Sequence, residues 1–324
     1  MQRWTCDRGG VPVRAPRGRT AAVIGWVAVL LLLAGAIGWI GPERLVAPWR
    51  VIDPGALLIA LALMAASYML RTLRITRYFT TALSGHFWSA FRLSSWHNLM
   101  NNLLPMRSGE VVFPVLMQRY YGLPAVQSVP VLLWFRLLDL QVVLLIGLAA
   151  GGHLLGVAPW ALLALTVALL LTPVVAYALR GWLRRRLTGR DGRLADTLAT
   201  VLDSLPDRPS RFVATLFWTW ANWLVKLAAL GWVLASLASL SFAQGVLGAI
   251  GGDLTTVLPI HAPGGFGTYE AGVVALLTPM GGELRSVLAA AVNLHLFVLG
   301  TAILAAGLSL LIKRPGRPHG LPLG

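Results

Sequence analysis

Six stretches of this chain carry enough uninterrupted hydrocarbon to cross a bilayer: residues 21–40, 54–70, 125–150, 157–179, 212–240 and 284–312. A helix needs roughly 20 apolar residues to traverse a hydrocarbon core. Backbone amides and carbonyls in lipid have no water to bond, so each stretch must satisfy them internally as an α-helix. A closed β-barrel would need short segments alternating apolar and polar, and these runs do not alternate. Composition agrees. Of 324 residues 57% are hydrophobic and 12% charged, at a mean hydropathy of +0.72, against about 25% charged in an average soluble domain. The expectation is an all-α polytopic membrane protein, and a soluble globular domain is excluded.

The formal net charge of +15 raises nucleic acid as a partner, but the distribution of the basic residues argues against it. They sit beside the spans. The N-terminal tail holds Arg3, Arg8, Arg14, Arg17 and Arg19, the end of the second span Arg71, Arg74 and Arg77, the middle loop Arg180, Arg184, Arg185, Arg186, Arg190 and Arg193, and the C-terminal tail Lys313, Arg314 and Arg317. With the N-terminus inside, six crossings put every one of these clusters on the cytoplasmic side and leave only Arg44, Arg50 and Arg285 outside. That is the positive-inside pattern. It predicts a multi-pass protein of the cell membrane with both termini cytoplasmic, whose partners are membrane lipids, with anionic headgroups held at the inner leaflet. Nothing in the pattern fixes an oligomeric state.

Cys6 is the sole cysteine, so no intramolecular disulfide forms. Ala34-Gly35-Ala36 formally resembles a leader cleavage site, but the apolar run continues to Ile40. That is longer than the usual h-region of about 7–15 residues, so an uncleaved anchor is expected.

Two shorter segments interrupt the simple crossings. Residues 89–104 are apolar but studded with Asn98, Asn101 and Asn102 and end at Pro105; residues 106–109 break the helix, and Glu110 to Gln118 restart it. The design returns later. Residues 243–258 run apolar with Asp253, Pro259 ends them, His261 to Gly267 form a Pro/Gly-rich break, and a helix restarts near Glu270. Ser108 and Thr268, each two residues before a glutamate, read as N-caps, and Glu110 and Glu270 complement the positive helix ends. Two helix N-termini inside a membrane are a sequence pointer to a transporter site, since they can hold an anionic group. Both glutamates are expected to face a polar cavity, not lipid.

The organisation expected is a basic tail (1–20), a membrane domain (21–312) of six long spans plus two re-entrant helical hairpins, and a C-terminal tail (313–324). Each half, about 21–150 and 157–312, crosses three times. An odd count places the halves in opposite orientation, an inverted repeat of the kind that supports alternating access.

At the breaks the chain resembles a known family. Asn98-Leu99-Met100-Asn101-Asn102-Leu103-Leu104-Pro105-Met106-Arg107-Ser108-Gly109-Glu110, Phe135-Arg136-Leu137-Leu138-Asp139 and Pro263-Gly264-Gly265-Phe266-Gly267-Thr268-Tyr269-Glu270 are similar, in order, to the motifs of the lysylphosphatidylglycerol synthase transmembrane-region family, whose members are called flippase-like. The resemblance spans roughly residues 20–312. It implies a membrane region that moves a charged lipid between leaflets, without the soluble synthase domain of two-domain members, so lipid aminoacylation is not carried over. The substrate-binding residues it points to are Asn98, Asn101, Asn102, Arg107, Ser108, Glu110, Arg136, Asp139, Gly264, Gly265, Thr268 and Glu270.

The chemistry has its own logic. A lipid phosphate inside a membrane needs cationic contacts, and arginine grips phosphate bidentately. Arg107 and Arg136 are the candidates. Arg136 and Asp139, three apart on one helix face, can pair with each other and enter the membrane more cheaply. Lys226 needs an acid, Asp253 or Glu270, and sequence does not choose. His261 and His295 are candidates for proton relay, although a lone histidine between helices is more often simply hydrogen-bonded. Residues 190–205, with Leu194, Leu198, Val201, Leu202 and Leu205 on one face, read as an interfacial helix.

No H-E-x-x-H or Walker-type motif occurs, so no metal, cofactor or ATP hydrolysis is expected. Ser84-Gly85-His86 is a fragment of a lipid-phosphatase motif, but no lysine precedes Lys226 to complete it. The expected function is therefore a non-enzymatic flippase-like protein for an anionic lipid, a phospholipid or polyprenyl-phosphate-linked lipid. The alternatives are a scaffold or accessory subunit for a lipid- or glycan-modifying enzyme and, behind it, a lipid-phosphate enzyme.

Overall fold

The computed structural model describes Gly35 and residues 38–154, 156–187, 192–203, 205–255 and 262–312. The basic N-terminal tail with Cys6, most of the run 21–40, Pro259, His261 and the C-terminal tail lie outside the described residues, as does the side chain of Arg107. In chain order the helices are α1 (Pro42–Val51), α2 (Pro54–Tyr78), α3 (Phe87–Leu103), α4 (Val112–Tyr121), α5 (Ala125–Gly151), α6 (Pro159–Leu187), α7 (Arg193–Asp203), α8 (Pro209–Ala238), α9 (Phe242–Thr255), α10 (Thr268–Leu277) and α11 (Leu284–Leu308). No strand occurs among the described residues.

Among the described residues five helices are long and apolar enough to cross a membrane: α2, α5, α6, α8, and α11 with the turn that carries it to Leu311. They match five of the six stretches read from hydropathy. Helix α6 continues past position 179 to Leu187, because its terminal arginines prolong the backbone helix while their side chains are exposed. Helix starts follow local chemistry. Prolines stand first in α2, α6 and α8, where a missing N–H loses no helical bond. Asp53 caps α2 by accepting from the Ala56 N–H at 2.8 Å. Helix α4 stops at Gly122 (φ 67°), whose N–H closes back on the Gln118 carbonyl while that of Leu123 reaches Met117, an αL ending.

Lipid tails are as apolar as leucine, so helices in a bilayer gain by close packing more than by hiding hydrocarbon. Glycine supplies the close approach here. A Cβ on Gly251 would lie 2.3 Å from the Gly272 carbonyl oxygen, and one on Gly272 2.2 Å from that of Gly251. These contacts seat α9 against α10. Helix α8 packs along α2 and α9, while α5 packs against α8 and α9. Leu227, Leu230, Leu234, Val273 and Leu294 form the resulting core. Helix α6 lies at the edge, touching chiefly α5 and α7 and burying only Pro173. Leu194 and Leu198 of α7 are exposed, as suits a helix whose apolar face meets a membrane surface.

The two broken segments form pairs of short helices. At a 1.5 Å rise, the 17 residues of α3 reach about 25 Å, the 14 of α9 about 21 Å, and the 10 each of α4 and α10 about 15 Å, all short of a core of about 30 Å. The turn Pro105–Val111 that joins α3 to α4 packs against the turn Pro263–Gly265 before α10. Gly109 makes the first of these possible, since a Cβ there would lie 2.4 Å from the Asn101 backbone nitrogen.

The caps differ from expectation. The Pro105–Val111 turn runs as 3-10 helix directly into α4, so Ser108 lies inside a continuous helical stretch and does not cap it. At the second break the cap position falls to Gly267 (φ 82°). Thr268 is the first helical residue, and its hydroxyl donates to the Gly265 carbonyl at 2.9 Å. The glutamate keeps its role: Glu270 Oε2 accepts from the Gly267 N–H at 2.7 Å, satisfying one of the open donors of the first turn.

Candidate functional site

A polar cavity of about 70 Å³ lies where α2, α3, α5, α8, α9, α10 and α11 converge. Helix α2 brings Ser67, Tyr68 and Arg71, on one face by i, i+4 spacing. Helix α3 brings Asn98, Asn101 and Asn102, α5 brings Arg136 and Asp139, α8 brings Trp223 and Lys226, and α9 brings Asp253. Tyr269 of α10 and His295 of α11 close it.

The charges are paired with one exception. Asp139 accepts from both terminal nitrogens of Arg74 at 2.6 and 3.2 Å and from the Trp223 indole at 2.8 Å. Arg74 and Asp139 are 4% and 5% exposed, and the Arg74 guanidinium lies over the Phe135 ring. Arg136 binds Glu110 at 2.8 Å and approaches Asp139 at 3.5 Å. Glu110 also meets His97 Nε2 at 3.2 Å. Lys226 donates to Asp253 at 2.7 Å, over the face of Trp223. Glu270 meets His295 Nδ1 at 2.7 Å, and the His295 ring stacks on Tyr269. Arg71 is the exception: among the described residues its hydrogen bond is to the neutral Asn98 Oδ1 at 2.5 Å, and no carboxylate pairs with it. The cavity lining thus holds three cations, Arg71, Arg136 and Lys226, against two carboxylates, Asp139 and Asp253.

Several lining atoms also lack a partner among the described residues: Asn101 Oδ1, Arg136 Nε and the Tyr269 hydroxyl. Buried polar groups are nearly always hydrogen-bonded, so these enclosed atoms leave unspent polar capacity beside the cavity. Donors from arginine, lysine and tyrosine outnumber acceptors, and the arrangement suits an oxyanion with several oxygens. Among the described residues no three histidines, cysteines or acids gather as a metal site.

Of the residues singled out from sequence, Asn98, Asn101, Asn102, Arg136, Asp139, Lys226, Asp253 and His295 line this cavity. Asp253, not Glu270, is the acid of Lys226. Arg136 and Asp139 are in contact, but each has a closer partner elsewhere, Glu110 and Arg74. Gly264 and Gly265 form a buried turn with φ of 66° and 76°; with Ser108 and Thr268 they shape the breaks and do not line the cavity. Neither glutamate lines it either. Glu270 is buried under His295, and Glu110 lies at the end of an apolar groove on the far side of Arg136. His295 covers Glu270, whereas Glu110, bonded to His97 and Arg136, stays partly exposed at the groove and not at a polar cavity as expected. The His86 ring of the phosphatase-like fragment is exposed and bonded to the Ser84 carbonyl in its own turn.

The placement of the second-span arginines is a correction. Arg71 and Arg74 do not join Arg77 in an exposed basic cluster; they turn inward from the last turns of α2, because that helix runs on to Tyr78 and carries them along the face of Ser67. The available signal was the spacing Ser67, Arg71, Arg74, which puts all three on one stripe. Tyr68, Trp223 and Tyr269 carried no comparable signal.

Comparison with known proteins agrees with these motifs: the family model described as "Lysylphosphatidylglycerol synthase TM region" matches residues 25–307. No curated protein matches the chain.

Proposed function

The chain belongs to the lysylphosphatidylglycerol synthase transmembrane-region family, and on that premise we propose that it moves an anionic lipid, a phospholipid or a polyprenyl-phosphate-linked lipid, between leaflets of the cell membrane. The observation that carries this reading is Arg71, a cation facing a cavity inside a bundle of membrane-length helices and bonded, among the described residues, only to a neutral asparagine. A charge in that position is costly without a counterion. The lipid phosphate is that counterion. Arg71 takes it bidentately, with Arg136 and Lys226 as the further cations of the lining and Asn101 and Asn102 as polar contacts for a headgroup hydroxyl or amine. No bond is made or broken, so the protein is not an enzyme and needs no cofactor.

The movement follows an inverted repeat of two halves, each of three crossings and one re-entrant pair, α3 with α4 and α9 with α10. On this reading the ends of α2, α6 and α8 that carry exposed Arg77, Arg184, Arg185, Arg186 and Arg208 face the cytoplasm, as the positive-inside rule supports, with both chain termini on that side. Single cysteines at His86 and Tyr120, in a Cys6→Ser background, are then labelled from the cytoplasm, and those at Phe242 and Glu283 from outside. Labelling of all four from one side excludes the repeat.

Translocation itself is tested by reconstituting this chain alone in vesicles containing fluorescent phosphatidylglycerol or phosphatidylcholine and bleaching the outer leaflet with dithionite. The anionic probe is expected to exchange faster than in protein-free vesicles and faster than the zwitterionic one. Equal rates for all three exclude transport and leave a scaffold for a lipid-modifying partner.

A further inference from the structure

Helices α4 and α5 form an antiparallel pair whose facing surfaces leave an open groove of about 490 Å³ on the outside of the bundle. It is lined by Val111 at the end of the Pro105–Val111 turn, by Pro114 and Val115 of α4, and by Val129, Leu132 and Leu133 of α5. Val111, Val115, Val129 and Leu133 are all exposed. The groove is closed at one end by Glu110 and Arg136, which bind each other at 2.8 Å. Gln118 and Ala125 mark the other end, near the tight turn between the helices. Arg136 also lines the polar cavity, so this residue, bound to Glu110, stands between an apolar groove and a cation-rich chamber.

We propose that this groove seats one hydrocarbon chain of the same anionic lipid, and that the Glu110–Arg136 pair is the gate its phosphate opens to enter the cavity. This rests on the lipid-transport reading and adds where the chain lies and where the headgroup passes. Three features fix the occupant. The groove runs from Ala125 to Arg136, about 16 Å at helical rise, which is half of a core of about 30 Å and so the depth of one leaflet's chains. Its walls are apolar, whereas its inner end holds the Arg136 guanidinium paired with the Glu110 carboxylate, so apolar gives way to charged along the groove as it does in a lipid read from tail to headgroup. The chain gains nothing from hydrophobic transfer, since it leaves one hydrocarbon medium for another; the phosphate's pairing with Arg136 holds it there, and the groove sets its direction. A phosphate at Arg136 competes with Glu110 for the same guanidinium, and Glu110 keeps His97 as its partner when Arg136 turns away.

The test uses the full chain in vesicles containing phosphatidylglycerol with a diazirine in one acyl chain, photolysed and mapped by peptide mass spectrometry. Adducts are expected on 111–118 and 129–133 several-fold above those on Leu163, Leu170 and Leu171, which are equally exposed on α6. A phosphatidylcholine probe with the same diazirine should lack this enrichment. Val115→Trp with Leu133→Trp should abolish the enrichment and slow anionic translocation several-fold. Equal labelling of groove and α6 by both probes overturns the proposal, as does cross-linking of the groove to a second copy of the chain. In those cases a rate that still depends on Arg71 leaves the headgroup reading standing. Enrichment without any translocation supports the groove and removes the transport reading.

Discussion

Replacing Asp139 by alanine is expected to destabilise the protein by about 3–5 kcal/mol, the range seen when one partner of a buried ion pair is removed. The carboxylate accepts from two nitrogens of Arg74 and from the Trp223 indole, with Arg136 a further neighbour. Without it, Arg74 stays 4% exposed, a cation held away from water and above the Phe135 ring. Phe135 and Thr219, the latter accepting from Arg74 at 3.0 Å, cannot neutralise it. Asp139→Asn keeps an acceptor of the same shape and should lose less. The double variant Arg74→Met with Asp139→Ala should recover part of the loss, since no buried charge is then orphaned. Thermal unfolding in detergent, read by tryptophan fluorescence, measures all three. If Asp139→Ala melts with the unmodified protein, the pair does not hold the bundle together.

Replacing Arg71 by glutamine is expected to slow translocation of the anionic lipid about ten- to a hundredfold, with little change in folded yield. The magnitude follows from a charge-assisted hydrogen bond worth roughly 1.5–3 kcal/mol, each 1.4 kcal/mol being about tenfold. Folding should tolerate the change, because Arg71 has no carboxylate to orphan and glutamine can still donate to Asn98. Arg71→Lys keeps the charge but loses the bidentate fork, so it should fall between the two. The contrast with Asp139 separates the roles: one residue governs stability, the other transport. An Arg71→Gln protein that translocates at the original rate would remove Arg71 from the headgroup site.

What could be read from sequence were properties of neighbouring residues. Apolar runs and their lengths predict helices in lipid whatever they pack against, and five of the stretches emerge as long helices; α5 and α11 keep their predicted ends within a residue or so, whereas α2 and α6 run about eight residues past theirs and α8 is shifted by two to three. Leu104-Pro105 and Gly264-Gly265 break helices for reasons contained in a few residues, so both breaks were legible. The asparagines of α3 and Arg136 with Asp139 stood out as polar groups in an apolar setting, and they do line the cavity.

Which cation meets which acid was not legible, because it depends on side chains far apart in the chain. Arg74 and Asp139 are 65 residues apart, Lys226 and Asp253 27, and Arg136 and Glu110 are brought together only by the turn at Gly122. Hydropathy set α2 to end near position 70 and so assigned Arg71 and Arg74 to the membrane surface; the packing of α2 along α8 carried them inward instead. Nor does any local pattern distinguish α6, the most apolar of the long helices, as the one left at the edge. Sequence by itself determined that this chain is a helical membrane protein with two interrupted segments, because bilayer thickness and backbone hydrogen bonding act on each segment alone. Tertiary structure decided the pairing that leaves Arg71 without an acid, because ion pairs are chosen by the geometry of helices in contact.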